Sequence, residues 1–145
     1  MDLYKDPQMG GVYAPGVSVP DYPAMQLNDL EIELGSIIAK KRSSNNKNLG
    51  VKPNLVISDE EKADREGLLS ELAFCRIAKV YPNEVFRIGY TSKKFGGDKG
   101  DAFMGNISID VKSTTYLKGK LIAMVDNKLI DYFALMVGEN GAYTL

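Results

Sequence analysis

The stretch DAFMGNISIDVKST, residues 101–114, constrains the fold most because it predicts a β-hairpin with a fixed register. Its central Gly-Asn pair is typical of a two-residue turn, and residues alternate in character on either side. In that register Asp101 lies opposite Asp110, and Lys112 follows on the same face. The other face is apolar throughout and comprises Ala102, Met104, Ile107, Ile109 and Val111. The stretch therefore predicts a hairpin that gathers two acids and a lysine on one face.

The rest of the chain reads as two helices that precede a run of strands. The first helix is expected over 28–42, with Asn28 as its N-cap, and a basic polar loop is expected over 40–48. The second is expected over 58–82, from a capping box at Ser58 to a stop before a proline. Strands besides the hairpin are expected at 84–90, 121–125, 132–137 and 142–145. This order favours an α+β fold in which helices flank a mixed sheet.

The first 26 residues carry four prolines and three glycines without a helical or strand period. We therefore expect an irregular N-terminal arm at 1–26 and a single domain at 27–145. The N-terminus lacks a signal-peptide pattern, and no apolar run approaches the ~20 residues that a membrane helix needs. We expect a cytoplasmic protein with no membrane partner.

The residue types present limit the chemistry. The chain has no histidine, and Cys75 is its single cysteine, which excludes disulfides, Cys/His zinc sites and histidine-based catalytic triads. Carboxylates, lysines, hydroxyls and an oxygen-ligated metal remain. The net charge is -1, so nucleic acid could be bound only by local basic clusters.

The opposed aspartates of the hairpin predict a metal site. Their Cβ atoms would lie ~5 Å apart, and two ionised carboxylates at that distance repel. A hard divalent cation such as Mg²⁺ reverses the sign, since it binds a few carboxylate oxygens together with water and phosphate. Lys112 would then lie within reach of a phosphate oxygen. The alternative is an ordinary charged face in contact with solvent.

This arrangement resembles the PD-(D/E)XK, or restriction-endonuclease-like, nuclease superfamily. Asp101 matches the acid of the first strand, Asp110 the second acid and Lys112 the lysine. Glu71 matches the glutamate that many members carry on the preceding helix. The resemblance covers about 58–138 and implies a restriction-endonuclease-like core.

Two assignments within the resemblance have rivals. Gly100 stands where the family name has proline, and Asp98 competes with Asp101 for the role of the first acid. Glu66 competes with Glu71. We expect Glu71 on the helix face that small side chains share, and Glu66 nearer the exposed half of the helix.

The resemblance implies a Mg²⁺-dependent DNA endonuclease, in which Mn²⁺ substitutes and the metal is held by Asp101, Asp110, Glu71 and the Val111 carbonyl. Candidate DNA-binding residues flank the hairpin: Lys93, Lys94, Lys99, Lys118 and Lys120. The small size favours a structure-selective or weakly sequence-specific enzyme, of phage type and able to form a homodimer. Two other hypotheses are a non-catalytic DNA-binding or assembly module that keeps the fold, and a structural protein whose proline-rich arm and acidic helix bind another protein.

Overall fold

The computed structural model describes residues 4–5, 12–13, 22–48, 50, 59–88, 100–116 and 130–145. In chain order these contain β1 (Tyr4–Lys5), β2 (Val12–Tyr13), β3 (Ala24–Gln26), α1 (Asp29–Asn48), α2 (Glu60–Ala78), β4 (Ala102–Met104), β5 (Ile107–Thr114), β6 (Tyr132–Glu139) and β7 (Ala142–Thr144). Neither helix in these ranges combines the length and apolar character needed to cross a membrane.

The main sheet has five strands in the order β3-β7-β6-β5-β4. Strands β5 and β6 run parallel, and the other three pairings are antiparallel, so the sheet is mixed. Helix α2 packs on this sheet, and α1 packs on α2. The α+β class and the mixed sheet predicted from the sequence are therefore confirmed.

The predicted hairpin forms in the expected register. Its three strand pairs are Ala102 with Ile109, Phe103 with Ser108, and Met104 with Ile107. Gly105, in the turn, has a φ of 62°, which glycine adopts without steric cost. Asp101 lies just before β4, where its N–H donates to the Ile109 carbonyl at 2.8 Å.

The core lies between α2 and one face of the sheet. Its largest fully buried side chains include Leu68, Leu69 and Met136. Strand alternation places Val111 and Met136 on this face, together with Tyr143, whose hydroxyl contacts α2. Asp110 and Lys112 alternate with them and belong to the opposite face. Each fully buried large aliphatic side chain contributes about 1.5–3 kcal/mol to folding.

Both helices start at caps. The α1 cap is confirmed as a reciprocal capping box, because Glu31 N–H donates to Asn28 Oδ1 and Asn28 N–H donates to Glu31 Oε2, each at 2.8 Å. Helix α2 differs from the prediction. Its N-cap is Asp59, whose side chain accepts from the Lys62 N–H. Ser58 lies outside the described residues.

The prediction of a loop at 40–48 is wrong, because α1 continues through these residues to Asn48. Within this stretch the Arg42 guanidinium donates to the carbonyls of Glu84, Val85 and Arg87 at 2.5–2.6 Å. Those contacts hold the chain after α2 against α1. The charged composition that indicated a loop therefore belongs to a helix with a structural role.

The prediction of a strand at 84–90 is also wrong over residues 84–88, which the structure describes. Residues 83–86 form a turn, and the Arg87 N–H donates to the Glu84 carbonyl at 3.2 Å. The carbonyls of Glu84, Val85 and Arg87 accept from Arg42, and that of Glu84 also accepts within the turn. They are therefore not available for hydrogen bonds to a neighbouring strand. Residues 89–90 and the strand expected at 121–125 lie outside the described residues.

The segment expected to be an irregular arm contributes to the sheet. Strand β3 falls inside it and pairs with β7, with Met25 opposite Tyr143. Backbone bonds extend the pairing, because Leu27 N–H donates to Gly141 and Leu145 N–H donates to Pro23. Strands β1 and β2 pair with each other as a separate two-stranded sheet.

Candidate functional site

Three acids predicted for the site act electrostatically on the predicted lysine, and we call these four residues the acid–lysine cluster: Glu71, Asp101, Asp110 and Lys112. Strand β5 carries two of them. Lys112 Nζ lies 2.5 Å from Asp110 Oδ2, and Asp110 is only 4% exposed. A carboxylate so deeply buried requires a charge or hydrogen-bond partner, which Lys112 supplies.

Asp101 joins the cluster from the end of β4. Its Oδ2 accepts a hydrogen bond from the Val111 N–H at 2.7 Å. Asp101 is the residue before β4, so its side chain, in place of a strand partner, accepts the backbone N–H of Val111 on β5. This contact fixes the carboxylate at the edge of the sheet.

Glu71 joins the cluster from α2. Its side chain is largely buried, and its Oε2 lies 3.5 Å from Nη1 of Arg42. Arg42 therefore links Glu71 to α1 and to the turn that follows α2. The role of Arg42 was not predicted, because its stretch of sequence was interpreted as a loop.

The pKa of Lys112 reports on the whole cluster. Burial by itself would lower this pKa. The hydrogen bond to Asp110 and the nearby negative charges, which Asp110, Asp101 and Glu71 carry, together raise it above its ordinary value. Lys112 therefore remains a protonated ammonium at neutral pH.

A buried thiol beside the cluster responds to the same charges. The pKa of Cys75 is raised from 9.0 to about 12, first by burial and then by the negative charges of Glu71 and Asp101. The thiol is therefore protonated at neutral pH, and a protonated, buried thiol is a poor nucleophile. Cys75 belongs to the core.

The fit of the cluster to a metal ion is mixed. Its oxygen donors are the kind that Mg²⁺ prefers. However, no group of three or more His, Cys, Asp or Glu residues within the described ranges is arranged to hold a metal ion. Asp110 contacts the Lys112 ammonium, and Asp101 accepts the Val111 N–H.

Glu66, the rival of Glu71, does not lie where we expected it. It is only 8% exposed, and its carboxylate accepts hydrogen bonds from the Tyr143 hydroxyl, the Asn140 N–H and Arg65. The expectation that Glu66 lies on the exposed half of the helix is wrong. Its partners come from β7 and the turn before it, so Glu66 fastens α2 to that end of the sheet.

A further acid near β5 was missed. Asp131 Oδ2 accepts from the Ser108 N–H at 2.8 Å and from the Ser108 Oγ at 2.9 Å. These two hydrogen bonds lower the pKa of Asp131. Its partner lies 23 residues earlier in the chain, and no local pattern indicates such a pairing.

The other candidates lie outside the described residues. These are the proposed DNA-binding residues, Lys93, Lys94, Lys99, Lys118 and Lys120, and the rival acid Asp98. Val111, expected to supply a carbonyl ligand, is buried in β5 between Asp110 and Lys112.

No protein-family model, curated protein or solved structure matches this chain. The resemblance to PD-(D/E)XK nucleases therefore rests on the residues of the acid–lysine cluster and their order along the chain.

Proposed function

We propose that this chain is a metal-dependent endonuclease that hydrolyses phosphodiester bonds in DNA on a restriction-endonuclease-like core. The observation that carries the proposal is the buried ion pair of Asp110 with Lys112, beside which the bond to the Val111 N–H fixes the Asp101 carboxylate. The acids come from β5, from the residue before β4 and from α2, and each acts on the same lysine. Clusters of charged groups with perturbed pKa values are enriched at functional sites.

Each residue has a role in this proposal. Asp101, Asp110 and Glu71, with the Val111 carbonyl, would hold Mg²⁺, and Mn²⁺ would substitute. When bound, the ion would promote ionisation of water and screen the charge of the scissile phosphate. Asp101 is held in place by its bond to the Val111 N–H, and Glu71 by Arg42.

Lys112 is assigned to charge stabilisation. Its raised pKa keeps it protonated, so it can donate hydrogen bonds to a phosphate oxygen but cannot accept a proton as a base. Its ion pair with Asp110 implies an exchange of partners. If Asp110 held the cation, the Lys112 ammonium would be available to donate a hydrogen bond to a phosphate oxygen of the substrate.

The test is incubation of the protein with supercoiled, linear and branched DNA in Mg²⁺, Mn²⁺ or EDTA. Wild type should cleave only with metal, and Asp110→Asn and Lys112→Ala should each reduce cleavage by at least tenfold. Lys62→Ala is the matched control, because Lys62 also follows an acid by two residues but lies in the exposed first turn of α2. Equal cleavage by wild type and both cluster variants would overturn the proposal.

A second candidate is a non-catalytic DNA-binding module with the same fold. It is favoured by the lack of a metal-holding group in the described ranges and by the ion pair that engages Asp110. This candidate predicts DNA binding that persists in EDTA and weakens steeply with salt, without cleavage in any metal. The cleavage assay and a binding assay at two salt concentrations distinguish the two functions.

A further inference from the structure

Helix α1 carries an exposed apolar stripe that runs beside the cleft between α1 and α2. The stripe consists of Leu30, Leu34 and Ile37, which are 72%, 42% and 48% exposed. Their spacing of four and three residues places them on one face of the helix. Isolated exposed leucines are common, but three large aliphatic side chains in one line form a surface suited to a partner helix.

Another side of α1 already packs on α2. A Cβ atom on Gly35 would lie 2.6 Å from the Leu69 side chain, which shows how closely the two helices approach there. Ile38 and Ala39 are buried on that side. The apolar stripe is therefore additional to the face that folding uses.

The charges of α1 indicate which partner fits the stripe. Apart from Glu31 and Arg42, which are engaged within the chain, its first turns carry Asp29 and Glu33, and its second half carries Lys40, Lys41 and Lys47. An antiparallel second copy would place acidic turns beside basic turns at both ends, whereas a parallel copy would oppose like charges. The two helix dipoles would also run in opposite directions.

We infer that the apolar stripe of α1 binds the same stripe on a second copy of this chain, as an antiparallel two-fold pair. In that pairing Leu34 packs against Ile37 of the second copy, and Leu30 packs against the aliphatic stem of Lys41. Such an interface is self-complementary, as a two-fold dimer requires.

A pair of flanking charges fixes the register. Glu33 and Lys40 both line the cleft of about 410 Å³ between α1 and α2, so they flank the same edge of the stripe. Neither takes part in an ion pair within the described residues. In the antiparallel register Glu33 of each copy lies beside Lys40 of the other, which gives two symmetric ion pairs.

The dimer should be weak. Three aliphatic side chains from each copy make an interface smaller than the about 1,200 Å² that stable complexes bury, so a dissociation constant above about 1 μM is expected. Sedimentation equilibrium on the full chain, from about 10 μM to about 1 mM, covers this range. Wild type should shift from monomer to dimer as concentration rises.

Leu34→Glu should raise the dissociation constant at least tenfold, because it places a charge at the centre of the stripe. Ile107→Glu is the matched control, since Ile107 is 44% exposed but lies on β5, and it should dimerise like wild type. Far-UV circular dichroism of both variants should show the helix content of wild type, which indicates that the fold is retained.

Charge exchange tests the register itself. Glu33→Lys and Lys40→Glu should each weaken the dimer several-fold, because each converts two attractions into two repulsions, and the double variant should recover it. A wild type that is monomeric at every concentration would overturn the inference, and would indicate that the stripe is covered by the chain itself or by another protein. A dimer that survives Leu34→Glu, or a double variant that does not recover, would overturn it equally.

Discussion

The hydroxyl of Tyr143 donates a hydrogen bond to the carboxylate of Glu66 and thereby joins β7 to α2 inside the protein. Asn140 N–H donates to the same carboxylate at 3.0 Å. Burial, followed by the bond to Glu66, raises the pKa of Tyr143, so its hydroxyl remains a donor well above neutral pH. Glu66 thus holds the sheet to the helix, whereas Glu71, on the same helix, belongs to the acid–lysine cluster.

These two glutamates should respond differently to the same substitution. Glu66→Gln weakens charge-assisted hydrogen bonds in the interior and should lower the free energy of unfolding by about 1–3 kcal/mol, measured by urea denaturation. Glu71→Gln should cost less stability but reduce metal-dependent DNA cleavage at least tenfold. If Glu66→Gln were instead inactive and fully stable, Glu66 rather than Glu71 would belong to the functional site.

Alkaline pH should destabilise the protein through Cys75. The pKa of its thiol is about 12 in the folded chain and near 9.0 in the unfolded chain. A raised folded pKa contributes stability that is fully present below the unfolded pKa and is lost as pH rises through the folded pKa. From pH 9 to pH 10 this loss should be on the order of 1 kcal/mol, measured by urea denaturation at each pH.

The control for that loss is Cys75→Ala. This variant should be less stable than wild type at pH 7, because it leaves a small cavity in the core, yet it should lose distinctly less stability from pH 9 to pH 10. The raised pKa values of Tyr143 and Lys112 act mainly at higher pH, since their ordinary values are 10.0 and 10.5. Parallel pH profiles for the two proteins would show that Cys75 is not the group responsible.

Two helix glycines should give opposite results when replaced by alanine. A Cβ atom on Gly35 would overlap the Leu69 side chain at 2.6 Å, so Gly35→Ala should separate α1 from α2 and cost about 1–3 kcal/mol. Gly67 has no such neighbour within 4 Å, and Gly67→Ala should stabilise the protein by about 0.5–1 kcal/mol. Thermal denaturation of both variants measures the contrast, and a loss of stability in Gly67→Ala would contradict it.

Local sequence patterns predicted the parts of the fold that depend on local interactions. The hairpin of β4 and β5 follows from its turn and its alternation, and the capping box at Asn28 follows from residues three positions apart. Glu66 was misplaced because its partner Tyr143 is 77 residues away, and helical phase alone cannot show which acid finds a donor. Arg42 was missed for the same reason, since its partners lie 42–45 residues further along the chain.

Divalent cations should stabilise the wild-type protein if the acid–lysine cluster binds them. Millimolar Mg²⁺ or Mn²⁺ should raise the melting temperature by mass action on the folded state, measured by differential scanning fluorimetry against EDTA. Asp110→Asn should abolish most of that rise, because it removes the buried carboxylate that a cation would share with Lys112. Lys62→Ala should retain it, and an equal rise in wild type and Asp110→Asn would place the ion elsewhere.

Strand β3 protects one edge of the sheet. Among the described strands it forms the outer edge of the sheet beyond β7, and its hydrogen bonds cover the N–H and C=O groups of that strand. Removing Ala24–Gln26 would leave β7 with an uncovered edge that retains an apolar inner face. An uncovered edge pairs readily with strands of other molecules, so the shortened chain should aggregate where the full chain stays dispersed.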